Sequence, residues 1–339
     1  MQTAVLVAPE HIQLEERPIP RPGPGEVLIQ VHYVAICGSD QARFWDHKPL
    51  AGEPVVMGHE FSGRVVTLGA GVTTPPVSQF VTVAPLLNCG ECILCQTGRS
   101  NLCPQRRVFG RDVDGALQEY IAVRADRTFP LPPNMSAREG ALIEPLAVAC
   151  HAVRRAGVEA NTLHPSRGRS HALVLGAGAI GLLIAQVWRA LGGGPVAMVD
   201  LDRSRLAVAA ELGLPAWPGT PSGPHIDTLF EATGSPDAFA NWLPVLAPAG
   251  QAIVVGKPDR AVPIEWVGLM RKEAEIATSR YFTLSDFTQA MQLVTDGQVS
   301  VSPLIGTTVP FRRLDKQAGQ RIMAEARQVI RMLVQVHQE

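Results

Sequence analysis

A short apolar run ending at Leu175 meets Gly176-Ala177-Gly178-Ala179-Ile180-Gly181 and passes at once into the helical pattern AIGLLIAQVWRALG. This junction constrains the fold more than any other stretch, because its three glycines have separate duties. Gly176 allows a tight turn, Gly178 lets backbone approach a pyrophosphate, and Gly181 lets the helix pack closely on the strand, while the helix N-terminus offers N–H donors and positive dipole. A second strand pattern, PVAMVD, ends in Asp200, about 20 residues further on, where a carboxylate can accept from a ribose 2′-OH. Asp200 would repel a 2′-phosphate, which favours NAD over NADP. Arg203 and Arg205 follow closely and offer the opposite preference. The candidate cofactor residues are therefore Gly176, Gly178, Ala179, Ile180, Gly181, Asp200 and Arg205.

Strand and helix patterns continue to alternate through IDTLFEATG, DAFANWLPVLA and QAIVVG, which implies βαβ crossovers and a parallel sheet. Upstream, from Thr3 to about Phe129, the runs TAVLVA, EVLIQVHYVA, EFSGRVVTLG, QFVTVAPLL and LQEYIAV are short and punctuated by Gly and Pro, as in an antiparallel barrel or sandwich. Between them SAREGALIEPLAVACHAVRRAG has helical spacing and opens with a Ser cap and a Glu three residues on. The segment NTLHPSRGRS reads as a connector, SDFTQAMQLVTDG as a helix, and the tail from Arg321 as a helix followed by a last strand. A length of 339 residues suits two domains at about 150 residues each.

Lys+Arg 30 against Asp+Glu 31 leaves a net charge of -1, which gives no footprint for nucleic acid. The N-terminus has neither a basic n-region nor a sustained apolar core, so no signal peptide is expected and the expected location is cytoplasmic. The apolar stretch Ala172 to Ala185 is broken by three glycines and is shorter than the about 18 residues of a bilayer span, so no membrane segment is expected.

Four of the 6 cysteines, Cys89, Cys92, Cys95 and Cys103, stand in the spacing C-x2-C-x2-C-x7-C. In a chain expected to stay in a reducing compartment, this crowding suggests metal thiolates more than disulfides. Four thiolates close a tetrahedral Zn²⁺ and leave no open position, so the expected role is structural. A second set is dispersed: Cys37 in C-G-S-D, His59 and Glu60 in G-H-E, and Glu144 in E-P-L-A-V-A-C-H-A. One thiolate, one imidazole and one carboxylate make a three-ligand Zn²⁺ set with a fourth position open to water or an alcohol oxygen. Taken singly, Cys37 reads equally as a small core residue and His59-Glu60 as a loop pair.

In their order, GEVLIQV, CGSD, GHEFSGRVV, the four-cysteine lobe, DGALQEY, EPLAVACHAVRR, VLGAGAIGLL, the Asp200 strand end and FEATGS resemble the zinc-dependent medium-chain dehydrogenase/reductase superfamily over nearly the whole chain. EPLAVACHAVRR and SRYF resemble its polyol branch, typified by sorbitol dehydrogenase. The resemblance implies an α/β protein with a GroES-like β-rich catalytic domain, 1–152 and 284–339, carrying both zincs, and a Rossmann NAD-binding domain, 153–283, with the active site in a cleft between them. It implies Cys37, His59 and Glu60 as catalytic zinc ligands, with Glu144 beside the metal directly or through water. It further implies Ser39 as the hydroxyl that takes the alcohol proton, Arg280 and Tyr281 as contacts to distal hydroxyls of a polyol, Phe109 as an apolar wall, and a homo-dimer or homo-tetramer. The implied reaction is oxidation of a secondary alcohol of a polyol by NAD. Phosphorylated polyols and sugar acids are alternatives, since Arg43, Lys48 and Arg280 could meet an anion, and an amino alcohol of the threonine type is another. A catalytically silent NAD-binding homologue is the alternative of a different class. Position 42 is Ala where many relatives carry a proton-relay His; His47 could substitute for it, but it reads first as a solvated loop histidine.

Overall fold

The computed structural model describes residues 1–46, 54–159, 162–163, 171–219, 226–314 and 319–338. His47 and Lys48, and most of the connector NTLHPSRGRS, lie outside these residues. The chain forms two compact units, Met1–Glu144 with Leu304–Glu339, and Pro145–Pro303. No helix among the described residues is long and apolar enough to cross a membrane.

The first unit is built on one long strand, Glu26–Ala35, whose EVLIQVHYVA sequence is apolar on both faces because it is covered on both. Its first half pairs antiparallel with Tyr120–Arg124, its far end with Arg331–Gln335, and its length with Glu60–Leu68. The sheet order is Thr128–Pro130, Phe80–Val83, Glu60–Leu68, Glu26–Ala35, Arg331–Gln335, Ile305–Pro310. The last two strands run parallel, and the tail forms the expected helix, Gly319–Ala326, followed by the strand Arg331–Gln335. A core including Val5, Ile29, Val31, Val34, Phe44, Phe61, Val81 and Leu117 is almost wholly removed from water. Each such side chain contributes about 1.5–3 kcal/mol of transfer free energy.

The second unit carries a six-stranded, all-parallel sheet. Its strands are Ala172–Leu175, Val196–Val199, Ala216–Trp217, Ile226–Glu231, Leu246–Val254 and Glu275–Thr278. Numbered along the chain, they lie in the spatial order 3-2-1-4-5-6. That order reverses direction between the first and fourth strands, and a ligand crevice opens at such a reversal, beyond the carboxyl ends of the strands. The helix Ala179–Ala190 packs on the sheet with almost every residue buried, which explains why AIGLLIAQVWRA is apolar nearly all round. A Cβ on Gly181 would sit 1.8 Å from the Gly176 carbonyl oxygen, so only glycine permits this approach of helix to turn.

The Ser136 cap is present: its hydroxyl accepts from the Glu139 N–H, and Glu139 accepts in return from the Ser136 N–H at 2.9 Å. The apolar pattern behind it divides into two helices, Ala137–Gly140 and Ile143–Arg155.

Candidate metal centres and nucleotide site

Cys89 Sγ lies 3.9 Å from Cys95 Sγ and 3.5 Å from Cys103 Sγ. Disulfides require about 2.05 Å. A tetrahedron of sulfurs about Zn²⁺, with Zn–S near 2.3 Å, has edges of about 3.8 Å, so these separations fit a shared metal. All four sulfurs lie within 4.8 Å of one another. The loop supplies its own electrostatic support: the Cys92 N–H reaches the Cys89 sulfur at 3.4 Å. Backbone donors at Cys92 and Glu91 pull the Cys89 thiol down to about 7.

The second set is assembled by the sheet. Strand Glu26–Ala35 leads into Cys37, which caps the N-terminus of the helix Gly38–Trp45. A helix N-terminus favours the thiolate. His59 and Glu60 arrive through Gly58, whose φ of +93° and tight seat, with Val34 Cγ1 only 2.8 Å from where a Cβ would stand, exclude other residues. Glu60 pairs across the sheet with Ala35, and Leu333 pairs with the same Ala35 from the other side. The donor atoms of Cys37, His59 and Glu60 lie within 4.8 Å of one another, and among the described residues no fourth His, Cys or carboxylate joins that set.

Two further residues hold the set in place, and neither is singled out in the sequence analysis. Asp40 is buried, accepts from the Cys37 N–H at 3.0 Å and lies 3.5 Å from His59 Nδ1, while Ser39 Oγ stands 3.4 Å from His59 Nε2. Arg331, also buried, donates to Glu60 Oε1 at 2.8 Å. The other oxygen, Glu60 Oε2, is buried with no hydrogen-bond partner among the described residues. A buried acceptor left unsatisfied in a carboxylate that lies beside a thiol and an imidazole suits a cation. The signal for Arg331 was a lone charge heading the apolar strand RMLVQ, since a buried arginine requires a partner. For Asp40 it was a carboxylate three residues after a helix-capping Cys.

The electrostatics of the set are those of opposed charges out of water. Burial pushes the Cys37 thiol up, but the charges of His59 and Arg331 outweigh it and bring it down to about 6. Burial works against a charged His59, yet Asp40 and Cys37 raise it well above an ordinary imidazole. Burial raises Glu60 well above the usual carboxylate range despite Arg331. Glu144, the second residue of the helix Ile143–Arg155, is buried too; burial lifts it to about 7, with His59 opposing. It stands outside the three-donor set but within its electrostatic reach. Phe109 is buried in the first unit's core, edge-on to Phe61 at 6.5 Å between ring centroids.

In the second unit a cavity of about 450 Å³ is lined by Gly176, Gly178, Asp200, Arg205, Thr233 and Trp242, among others. Gly178 caps the helix Ala179–Ala190. Asp200 closes the turn: one carboxylate oxygen accepts from the Ala177 N–H at 2.7 Å and the other from the Asp202 N–H at 2.8 Å. Each oxygen keeps a second lone pair for a ligand hydroxyl. Arg205 stays near, 3.8 Å from Asp200 and 3.7 Å from Asp202. Arg280 stacks over the Tyr281 ring at 5.1 Å, and Tyr281 has a left-handed φ of 56°. Cys150 is buried, and burial raises its thiol, which makes it inert.

Comparison with known proteins is consistent with this geometry. Residues 23–133 match the alcohol dehydrogenase GroES-like domain. The chain is 33% identical over 307 residues to a 2-dehydro-3-deoxy-L-galactonate 5-dehydrogenase of Pseudoalteromonas atlantica, covering 86% of each. It is 31% identical to a sorbitol dehydrogenase of Halalkalibacterium halodurans, covering 90% of this chain and 91% of that one. An alcohol dehydrogenase of Escherichia coli CFT073, solved with NADH, superposes with a TM-score of 0.89 at 26% identity over 99% of both chains.

Proposed function

Since the chain belongs to the zinc-dependent medium-chain dehydrogenase/reductase superfamily, in its polyol dehydrogenase-like branch, we propose that it oxidises a secondary alcohol of a polyol or sugar alcohol with NAD, using one catalytic and one structural zinc. The observation that carries this reading is the convergence, among the described residues, of one thiol, one imidazole and one carboxylate, with Glu60 buried and Cys37 and His59 half-buried. Three protein donors leave a tetrahedral metal one position for substrate, whereas the four-cysteine lobe leaves none.

The net conversion turns a secondary alcohol and NAD⁺ into a ketone, NADH and a proton. Zn²⁺ held by Cys37, His59 and Glu60 would supply Lewis acidity to the substrate oxygen, and NAD held over Gly176 to Gly181 would accept the hydride. The chain's own residues do the rest. Asp40 holds the His59 ring through Nδ1 and so directs Nε2 toward the site. Ser39 Oγ is the exposed hydroxyl next to that ring and takes the alcohol proton outward. Glu144, buried and within electrostatic reach of the set, is a carboxyl placed to hold a proton or support the metal. Arg331 neutralises the Glu60 carboxylate when no cation does. Asp200, tied to the glycine turn through the Ala177 N–H, supports NAD over NADP, because a 2′-phosphate beside its carboxylate would add like charge. Arg280 and Tyr281, in the SRYF stretch that resembles the polyol branch, would contact the distal hydroxyls of the substrate.

The sugar-acid reading has its own support in the galactonate-type relative and keeps the same chemistry with an anionic substrate. The deciding experiment follows NADH formation by zinc-loaded protein with free polyols, their terminal phosphates, aldonates and threonine, each with NAD⁺ and NADP⁺. Turnover with polyols and NAD⁺ is expected. Turnover confined to aldonates would transfer the assignment to sugar acids, and none with any class would overturn it.

A further inference from the structure

The segment Ser279-Arg280-Tyr281-Phe282 is held at both ends by one helix, Ile143–Arg155. On the upstream side the Arg155 Nε donates to the Thr278 carbonyl at 3.2 Å, and the Ser279 N–H donates to the Val254 carbonyl at 2.9 Å. On the downstream side a buried carboxylate gathers five contacts. Asp286 accepts from Arg154 through both oxygens, at 2.8 and 2.9 Å, and lies 2.9 Å from His151 Nδ1. It also accepts from the Thr283 N–H at 2.7 Å and the Thr283 hydroxyl at 2.8 Å. Phe282, fully buried, packs on Phe287 with ring centroids 5.6 Å apart.

Between these anchors Tyr281 keeps a backbone conformation that a bulky residue seldom adopts, φ 56°. Such a conformation persists only where the surroundings over-determine it. Here the surroundings are identifiable. The bidentate Arg154–Asp286 pair is the strongest of them, because charge-assisted, two-point contacts fix direction as well as distance. Burial opposes ionisation of Asp286, but His151 and Arg154 hold it well below the usual carboxylate range, so the pair stays charged through neutral pH.

We propose that Arg154, His151 and Asp286 form a clamp that positions the Arg280–Tyr281 turn for substrate, making them positioning residues for alcohol recognition. The inference rests on the reading that Arg280 and Tyr281 contact the distal hydroxyls. The clamp gives that contact its precision: the guanidinium and phenol are presented on a short turn pinned from both sides. A displacement of about 1 Å at such a contact can cost on the order of 100-fold in efficiency.

The test combines amide hydrogen exchange over 279–283 with steady-state kinetics, using Arg154→Met, Arg154→Lys, Thr283→Val, Tyr281→Ala and the double variant Arg154→Met/Tyr281→Ala. Exchange over 279–283 should quicken in Arg154→Met and recover partly in Arg154→Lys. KM for the alcohol should rise by about tenfold or more with little change in NAD affinity, and the double variant should lose less than the two single losses combined, since part of what Arg154 does runs through Tyr281. Unchanged exchange would overturn the clamp. Faster exchange with KM unmoved in both Arg154→Met and Tyr281→Ala would overturn instead the reading that the turn meets substrate, and the inference with it. Additive losses in the double variant would also overturn it, since they would mean that Arg154 acts elsewhere. Should Arg154→Met fail to fold, Thr283→Val removes only one hydroxyl donor to Asp286 and must show the same pattern at smaller size.

Discussion

The two sulfur-bearing clusters of the first unit differ both in their ligands, four thiols against one thiol, one imidazole and one carboxylate, and in what supports them. The lobe of Cys89, Cys92, Cys95 and Cys103 draws its support from its own loop, whose N–H groups face the sulfurs over a span of 15 residues. The set of Cys37, His59 and Glu60 depends instead on side chains brought from far along the chain, above all Arg331, 271 residues from Glu60. A closed site can be self-contained because nothing must enter it. An open site has to be dry and charged at once, so its support must come from buried partners placed by the sheet.

Breaking the lobe should have the largest effect, and a purely structural one. Cys103→Ser removes a buried ligand, so cleavage by protease between residues 88 and 108 should accelerate by more than about tenfold as coordination energy is lost. Cleavage at the wild-type rate would mean the lobe holds itself together without metal.

Arg331→Met comes next and sharpens the contrast. It leaves Glu60 buried beside Cys37 without its cation, which should cost about 3–5 kcal/mol in the metal-free protein by denaturant titration. Zinc should restore much of that loss. A variant of equal stability would show that Arg331 is not the partner that makes the open site tolerable.

Asp40→Asn should be milder. It keeps the shape but weakens the hold on His59 Nδ1, and zinc at the open site should bind about 10–100-fold more weakly, measured against a competing chelator. Zinc in the lobe should be unaffected.

The smallest effect concerns a buried histidine away from both clusters. His59 is raised by Asp40 and Cys37, whereas His32, more fully buried, is shifted the other way: burial first, then His337 and Arg64, lower it to about 4. Among the described residues its ring nitrogens have no hydrogen-bond partner, and Phe80 meets the ring edge-on at 5.0 Å. The unfolded chain therefore binds a proton that the folded one refuses between about pH 6.5 and 4. Stability from this residue is full above pH 6.5 and falls as pH drops toward 4. His32→Phe should flatten part of the fall in Tm over that window, and an unaltered profile would remove His32 as its cause.

The same contrast explains what was legible in the sequence. The cysteine spacing and the glycine turn before Ala179 are local patterns, and both appear in the structure where the chain places them. The strand pattern EVLIQVHYVA and the helix after Ser136 were legible for the same reason. Cys37, His59 and Glu60 could be proposed individually, but their meeting depends on Glu60 pairing with Ala35. Arg331 showed only as a lone charge heading an apolar run; its partner was not legible, because it is defined by sheet order, which places Arg331–Gln335 beside Glu26–Ala35. Asp40 was read as part of a motif and its second duty, toward His59, appears only when the His59 loop is in place.

On the proposed function, the four-cysteine lobe would hold a closed, structural zinc and the Cys37, His59 and Glu60 set an open, reactive one. Zinc content, NAD affinity and turnover of Cys37→Ala, set against the wild type, test it most directly. Wild-type protein should hold two zinc ions per chain; Cys37→Ala should hold one, bind NAD as before, keep its fold and lose turnover by about 1000-fold or more. A Cys37→Ala protein that retains two zinc ions, or that still turns over, would contradict the account.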